Sequence, residues 1–197
     1  LISYYWPPDN SSGVQRWAYF AHYLQKEGYT IEVVTVDPTK ASYKNTDNSF
    51  TSLVADIKTH TTSTFELLKA YSFLTTGNTK KGIPRGGVDV KKNIIKQIAN
   101  KVKADFFVPD ARVGWNKYAL QSAKKLVKKD TIIITTGPPQ STHLIGLKLK
   151  EEFPENKWIA DFRDPWLELY SNQNQPQSKW AANKNEKLEA SVLRGAD

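Results

Sequence analysis

Leu1-Ile2-Ser3-Tyr4-Tyr5, Trp6-Pro7-Pro8-Asp9-Asn10-Ser11-Ser12-Gly13 and Ile31-Glu32-Val33-Val34-Thr35-Val36 frame the opening of the chain and decide its fold class. The first five residues read as the end of a strand. The next eight are turn formers. Val14, Trp17, Ala18, Ala21 and Leu24 then recur at helical spacing, and Gly28 supplies a C-terminal stop. The β-branched run Ile31–Val36 is a second strand, closed by Asp37-Pro38. Strand, loop, helix, strand is a βαβ unit, which implies parallel strands joined by a right-handed crossover.

Further along, Leu53–Ile57 reads as a short strand, 62–74 as a helix and 75–87 as a Gly-rich loop. From Val88 to Val102 the residues Ile94, Ile95, Ile98 and Val102 form an apolar stripe, with Lys92, Lys96 and Lys103 turned outward. Asp105–Val108 reads as a brief strand. A second basic helix over 115–129 turns Ala119, Leu120, Ala123, Leu126 and Val127 inward, and Lys117, Lys124, Lys125 and Lys128 outward. Thr131–Thr135 is a continuous apolar strand, as expected for one covered on both faces. A helix is predicted from near Ser141, a strand over Lys157–Phe162 and a last helix over about 179–194. Alternating β and α elements predict a Rossmann-like, doubly wound parallel sheet with helices on both faces.

The chain has 197 residues, 39% hydrophobic and 24% charged, within reach of a single domain with its own core. Cysteine is absent, which excludes disulfides, zinc–thiolate sites and cysteine nucleophiles. No apolar stretch approaches the roughly 18 residues of a membrane span, and no signal peptide is visible. Methionine is absent too, and the first residues sit inside a strand pattern, so the chain is expected to be part of something longer. The net charge is +8, concentrated in residues 79–129, which hold 14 Lys/Arg against 3 Asp. Such a region suits an anionic partner.

In doubly wound sheets ligands bind beyond the carboxyl ends of the strands, so three loops stand out. The first ends in Ser11-Ser12-Gly13-Val14-Gln15-Arg16 at a helix N-terminus, where free N–H groups favour an anion and Gly13 allows close approach. A bare turn explains Gly13 equally well. The dinucleotide fingerprint and the P-loop motif are both absent. The second loop, Thr136-Gly137-Pro138-Pro139-Gln140-Ser141-Thr142-His143, places His143 in a first helical turn behind Ser141 as N-cap. The helix dipole there favours a neutral imidazole. A satisfied core histidine is the competing reading. The third, Asp161-Phe162-Arg163-Asp164-Pro165-Trp166, is either a cluster for sugar hydroxyls or a loop braced by an Arg163–Asp164 or Arg163–Asp161 ion pair. Trp166 either stacks on a sugar or fills the core. No D-x-D motif and no metal-ligand cluster is present. The lysine-rich helices are solvated faces by default; their lack of interleaved acids leaves room for docking to anionic lipid.

Tyr4-Tyr5-Trp6-Pro7-Pro8, Ser12-Gly13-Val14-Gln15-Arg16 and Leu24-x-x-x-Gly28-Tyr29-x-Ile31-x-Val33-Val34-Thr35 resemble the opening of family 4 retaining glycosyltransferases of the GT-B fold. Thr136-Gly137-Pro138-Pro139-x-Ser141-Thr142-His143-Leu144-Ile145-Gly146 and Ala160-Asp161-Phe162-Arg163-Asp164-Pro165-Trp166 resemble a bacterial subgroup that builds surface polysaccharides. The resemblance covers roughly 1–38 and 105–197. It implies that residues 1–197 are the N-terminal, acceptor-side lobe, with a sugar nucleotide held by a C-terminal lobe outside this chain. It further implies metal-independent retaining transfer to a sugar or lipid-linked acceptor, and no cofactor on this lobe. By the same resemblance Asp164 and His143 are the candidate catalytic residues. Ser12, Gly13, Gln15, Arg16, Thr136, Gly137, Ser141, Asp161, Arg163 and Trp166 are the candidate substrate-binding residues. The donor-side E-x7-E pattern is missing, so the chain alone is expected not to transfer sugar. A cytoplasmic enzyme is expected, touching the anionic inner face of a membrane through helices 88–103 and 115–129. The alternatives are a GT-B-like sugar-nucleotide epimerase domain and a basic nucleic-acid-binding domain. No nucleic-acid motif is present, and the basic residues lie away from the three loops, so no nucleic-acid partner is expected.

Overall fold

The computed structural model describes residues 1–41, 43, 46–65, 105, 107–167 and 178–197. Their regular elements, in chain order, are α1 (Ser12–Lys26), β1 (Glu32–Val36), β2 (Lys58–Thr62), α2 (Asn116–Lys124), β3 (Ile133–Gly137), α3 (Ser141–Glu152), β4 (Trp158–Phe162) and α4 (Lys179–Gly195). β1 pairs in parallel with β2, Val34 opposite His60. β3 pairs in parallel with β4, Thr135 opposite Ala160. The two pairs are joined through the first residues of the chain. Ile2 bridges Val34 on one side and Thr135 on the other, both in parallel. The Ile2 amide donates to the Ile134 carbonyl at 2.8 Å, and the Thr136 amide returns a bond to the Ile2 carbonyl at 3.2 Å. The protein is thus a mixed α/β structure with parallel strand pairs.

Alternation along the strands divides the interior in two. Val34 and Val36 enter one cluster with Ile2, Tyr4, Ile133 and Trp158, and the helices α2, α3 and α4 add Ala119, Ala123, Ile145, Leu149 and Val192. Val33 points the other way, into a second cluster with Trp17, Ala18 and Ala21 of α1, together with Trp6, Val54 and Ile57. Full burial of one such aliphatic side chain is worth about 1.5–3 kcal/mol, so the alternation fixes the register of β1. Gly28 ends α1 with a φ of 92°, a left-handed turn that glycine adopts without strain.

Several expected elements are displaced. Residues Leu53–Ile57 are not a strand: Ser52–Val54 is a 3-10 turn, and β2 begins after it, at Lys58. The buried residues Val54 and Ile57 are three apart, a helical rather than a strand spacing. β2 also takes the start of the expected helix over 62–74, whose remainder from 66 onward lies outside the described residues. Phe107 and Val108 lie in a turn, not a strand. The helix expected over 115–129 is shorter, because the chain turns after Lys124 and Asp130 adopts a φ of 66° before β3. β3 starts two residues later than its apolar run and continues into Thr136 and Gly137, which pair with Asp161 and Phe162. The Gly-rich loop over 75–87 and the helix 88–103 lie outside the described residues. Among the described residues no helix is long and apolar enough to cross a membrane.

Candidate functional site

Parallel strands bring the start of α1, the loop after β3 and the loop after β4 to one rim, and Arg163 ties them together. Its Nε donates to the Gly137 carbonyl and its Nη2 to the Pro138 carbonyl, both at 3.1 Å. Its backbone amide also donates to Gly137, at 3.3 Å. The Nη1 end lies on Gly13 so closely that a Cβ there would sit inside the guanidinium. Gly13 therefore accommodates an internal arginine. Half-burial lowers the Arg163 pKa, partly countered by Asp164 and Asp161. The brace expected from an Arg163 ion pair is instead built from carbonyl acceptors.

Asp161 has a different partner set. It accepts from Arg16 at 2.7 Å, Trp17 Nε1 at 2.6 Å and Thr136 Oγ1 at 2.9 Å. This carboxylate clasps α1 to the ends of β3 and β4. With its side chain only 10% exposed and three donors in place, it is engaged within the protein. Asp164 is its opposite. Its carbonyl accepts from Gln140 Nε2 at 3.0 Å, but among the described residues its half-buried carboxylate makes no hydrogen bond.

His143 is fully buried, stacked on Phe162 with ring centroids 4.4 Å apart. Its Nδ1 lies 2.9 Å from Thr135 Oγ1. Burial, opposed by the charge of Asp161, lowers its pKa to about 4, so the ring is neutral at pH 7. Desolvation by burial is the largest cause. Ser141 is not the N-cap: it is the first residue of α3, and Gln140 occupies the cap position. Ser141 is held by Asp110, which accepts from its amide at 2.7 Å and its hydroxyl at 2.9 Å. Asn116 of α2 donates to the Ser141 carbonyl at 2.7 Å. Asp110 thus caps α3 from a distant segment, which no local motif announced.

Trp166 fills the core, 3% exposed, with Nε1 donating to Asn185 of α4 at 3.2 Å. Gln15 is exposed on the first turn of α1, and Ser12 opens that helix. Of the predicted residues, Gly13, Gly137 and Arg163 thus form one group, Arg16, Thr136 and Asp161 a second, and Ser141, His143 and Asp164 lie along the same loops with partners of their own. Gln140 and Asp110 join them unforeseen. Among the described residues no three His, Asp or Glu side chains are grouped to hold a metal ion.

At the opposite, amino ends of the strands an apolar hollow of about 750 Å³ is lined by Leu24, Ile31, Ile132, Ile134 and Ile159. Glu32, Lys128, Lys129 and Asp130 line it as well. The rim is taken as the candidate site because it lies at the carboxyl ends of the parallel strands, where the three predicted loops meet. Compared with protein-family models, with curated proteins and with solved structures, the chain matches none.

Proposed function

We propose that the chain is the acceptor-side, Rossmann-like lobe of a two-lobed, metal-independent retaining glycosyltransferase of cell-surface polysaccharide or glycolipid synthesis. The observation that carries the reading is the meeting of Gly13, Gly137 and Arg163 in one hydrogen-bonded knot at the carboxyl ends of the parallel strands. That is where a doubly wound sheet receives its ligand. The knot presents two kinds of chemistry side by side. The start of α1 and the positive charge of the Arg163 guanidinium packed against it favour negative charge, as the diphosphate of a sugar nucleotide supplies. The carboxylate of Asp164, which makes no hydrogen bond among the described residues, accepts one from an acceptor hydroxyl.

In this reading the sugar nucleotide is held by a second lobe outside these 197 residues and meets the acceptor across the rim. The bond from the sugar to the leaving phosphate breaks as the acceptor oxygen bonds to the same face. The leaving phosphate takes the acceptor's proton. This lobe orients the hydroxyl through Asp164 and offsets the developing charge through Arg163. No enzyme nucleophile and no cofactor on this lobe enter the scheme. The exposed Lys117, Lys125, Lys128 and Lys129 then face an anionic membrane on the cytoplasmic side, adding about 1 kcal/mol of attraction each near the surface.

The test is sugar transfer by the full-length parent chain from radiolabelled sugar nucleotides to a bacterial lipid extract. Asp164→Asn is expected to lower transfer at least tenfold with the fold intact. Wild-type turnover in that variant, or no transfer from any nucleotide sugar, overturns the reading.

A further inference from the structure

Among the described residues, two of the buried polar atoms without partners lie beside Gly137, and their surroundings indicate what each is. Trp158 Nε1 can only donate, and it donates to Thr135 Oγ1 at 2.9 Å. The hydroxyl proton of Thr135 is then free to go to His143 Nδ1, also at 2.9 Å. This arrangement satisfies all three groups, and it leaves the imidazole proton on Nε2. Thr135 Oγ1 could instead accept from an Nδ1–H, but its own proton would then have no acceptor within the trio; on that ground the imidazole proton is assigned to Nε2, a buried donor with nothing among the described residues to receive it.

The Gln140 amide is oriented in the same way. Its Nε2 donates to the Asp164 carbonyl at 3.0 Å, so Oε1 faces the other direction. That oxygen is a buried acceptor without a partner. The two orphans converge. A Cβ on Gly137 would lie against Gln140 Oε1 and 2.6 Å from His143 Nε2. One donor and one acceptor thus flank the bare face of a glycine, where any side chain would intrude between them.

We propose that Gly137, Gln140 and His143 form a receptor for a single uncharged hydroxyl, from a sugar or another polyol. A hydroxyl both donates and accepts, so it pairs with both orphans at once. A phosphate or carboxylate oxygen only accepts; it would meet His143 but face the Gln140 oxygen with like charge. An ammonium group would fail in the opposite sense. Gln140 is itself partly exposed, although its Oε1 and His143 Nε2 are both shielded from solvent. The identification of the polyol as a sugar rests on the glycosyltransferase reading, whereas the hydroxyl receptor rests on the hydrogen-bond pattern alone.

The experiment observes the histidine nitrogens of the ¹⁵N-labelled 197-residue chain by long-range ¹H–¹⁵N NMR. His143 is expected as the neutral Nε2–H tautomer at pH 7. Glycerol, the probe that carries the shared chemistry, is expected to shift its Nε2 signal saturably, while inorganic phosphate leaves it in place. His22 and His60, away from the rim, serve as internal references. Gln140→Leu keeps the bulk but removes the acceptor and is expected to weaken the glycerol response about tenfold, the loss of roughly one hydrogen bond. Gly137→Ala is expected to abolish it. An Nδ1–H tautomer, or an Nε2 signal that glycerol does not move because only water occupies the gap, overturns the proposal. Sugar transfer by the parent chain without a glycerol response refutes the receptor alone. A glycerol response without transfer refutes the glycosyltransferase reading alone.

Discussion

Replacing Gly13 by alanine tests the knot at the rim most directly. The added Cβ falls inside the Arg163 guanidinium, so the arginine must leave. Its departure breaks the bonds to the Gly137 and Pro138 carbonyls, each 3.1 Å long. Hydrogen bonds from a charged donor contribute about 1.5–3 kcal/mol each when buried. These are half-buried, and water can reach the vacated carbonyls, so a joint loss of about 2 kcal/mol is expected. Alanine's better helix propensity returns little at the first turn, where no intrahelical bond depends on it. For a domain of this size the loss lowers Tm by roughly 4–8 °C. The assay is urea unfolding of Gly13→Ala, Arg163→Ala and the double variant. With Arg163 truncated the three atoms nearest the new Cβ are gone, so the alanine is expected to be neutral there within about 0.5 kcal/mol. Equal cost of Gly13→Ala in both backgrounds refutes the argument, since the two residues would then act independently.

Three more outcomes are expected. Burial holds the His143 pKa at about 4, against 6.5 in the unfolded chain, so the unfolded state takes the proton first as pH falls. Its contribution is intact above about pH 6.5 and is lost on acidification to about pH 4, some 3 kcal/mol in all. The stability gap between wild type and His143→Gln should narrow over that window; a gap independent of pH contradicts it. Gly146→Ala would drive a Cβ into the Trp158 indole, so a loss of about 1–3 kcal/mol by urea unfolding is expected despite the helical position. A gain of about 1 kcal/mol, as at an unobstructed helix glycine, would contradict the packing. Reversing Lys124, Lys125 and Lys128 to Glu is expected to weaken binding to anionic liposomes about tenfold or more. Lys124 already pairs with Glu152, so Lys125 and Lys128 should carry most of the effect. Equal wild-type binding to anionic and neutral liposomes removes the membrane argument.

The elements that were legible in the sequence are those whose burial follows a local period. α1 and β1 were readable because Trp17, Ala18, Ala21 and the valines repeat at 3.6 and 2. β2 was missed because Lys58–Thr62 has no fully buried residue and so no apolar alternation; only its threonines marked it. β3 was placed too early because Thr135 and Thr136 look like a strand's end. They are buried inside it, each hydroxyl matched by a distant partner, Trp158 and His143 for one and Asp161 for the other. At the rim the loops were foreseen, but their internal pairings were not. Asp161 meets Arg16 and Trp17 across most of the chain's length, and Asp110 reaches Ser141 from another segment. Such pairings leave no spacing to read. Conversely, Trp166 sits in a motif and still turns inward.

The placement of Ile2 between β1 and β3 bears on how the protein is made. During synthesis one edge of that segment finds its neighbour as soon as β1 emerges. The other edge must wait until β3, far later in the chain, leaves the ribosome. Through that interval a hydrophobic strand edge stands open, a template for pairing with other nascent chains. Loss of the β3 side by truncation or a translational stall would leave that edge open for good. Aggregation of such shortened chains, rather than a stable half-domain, is the outcome this topology leads to.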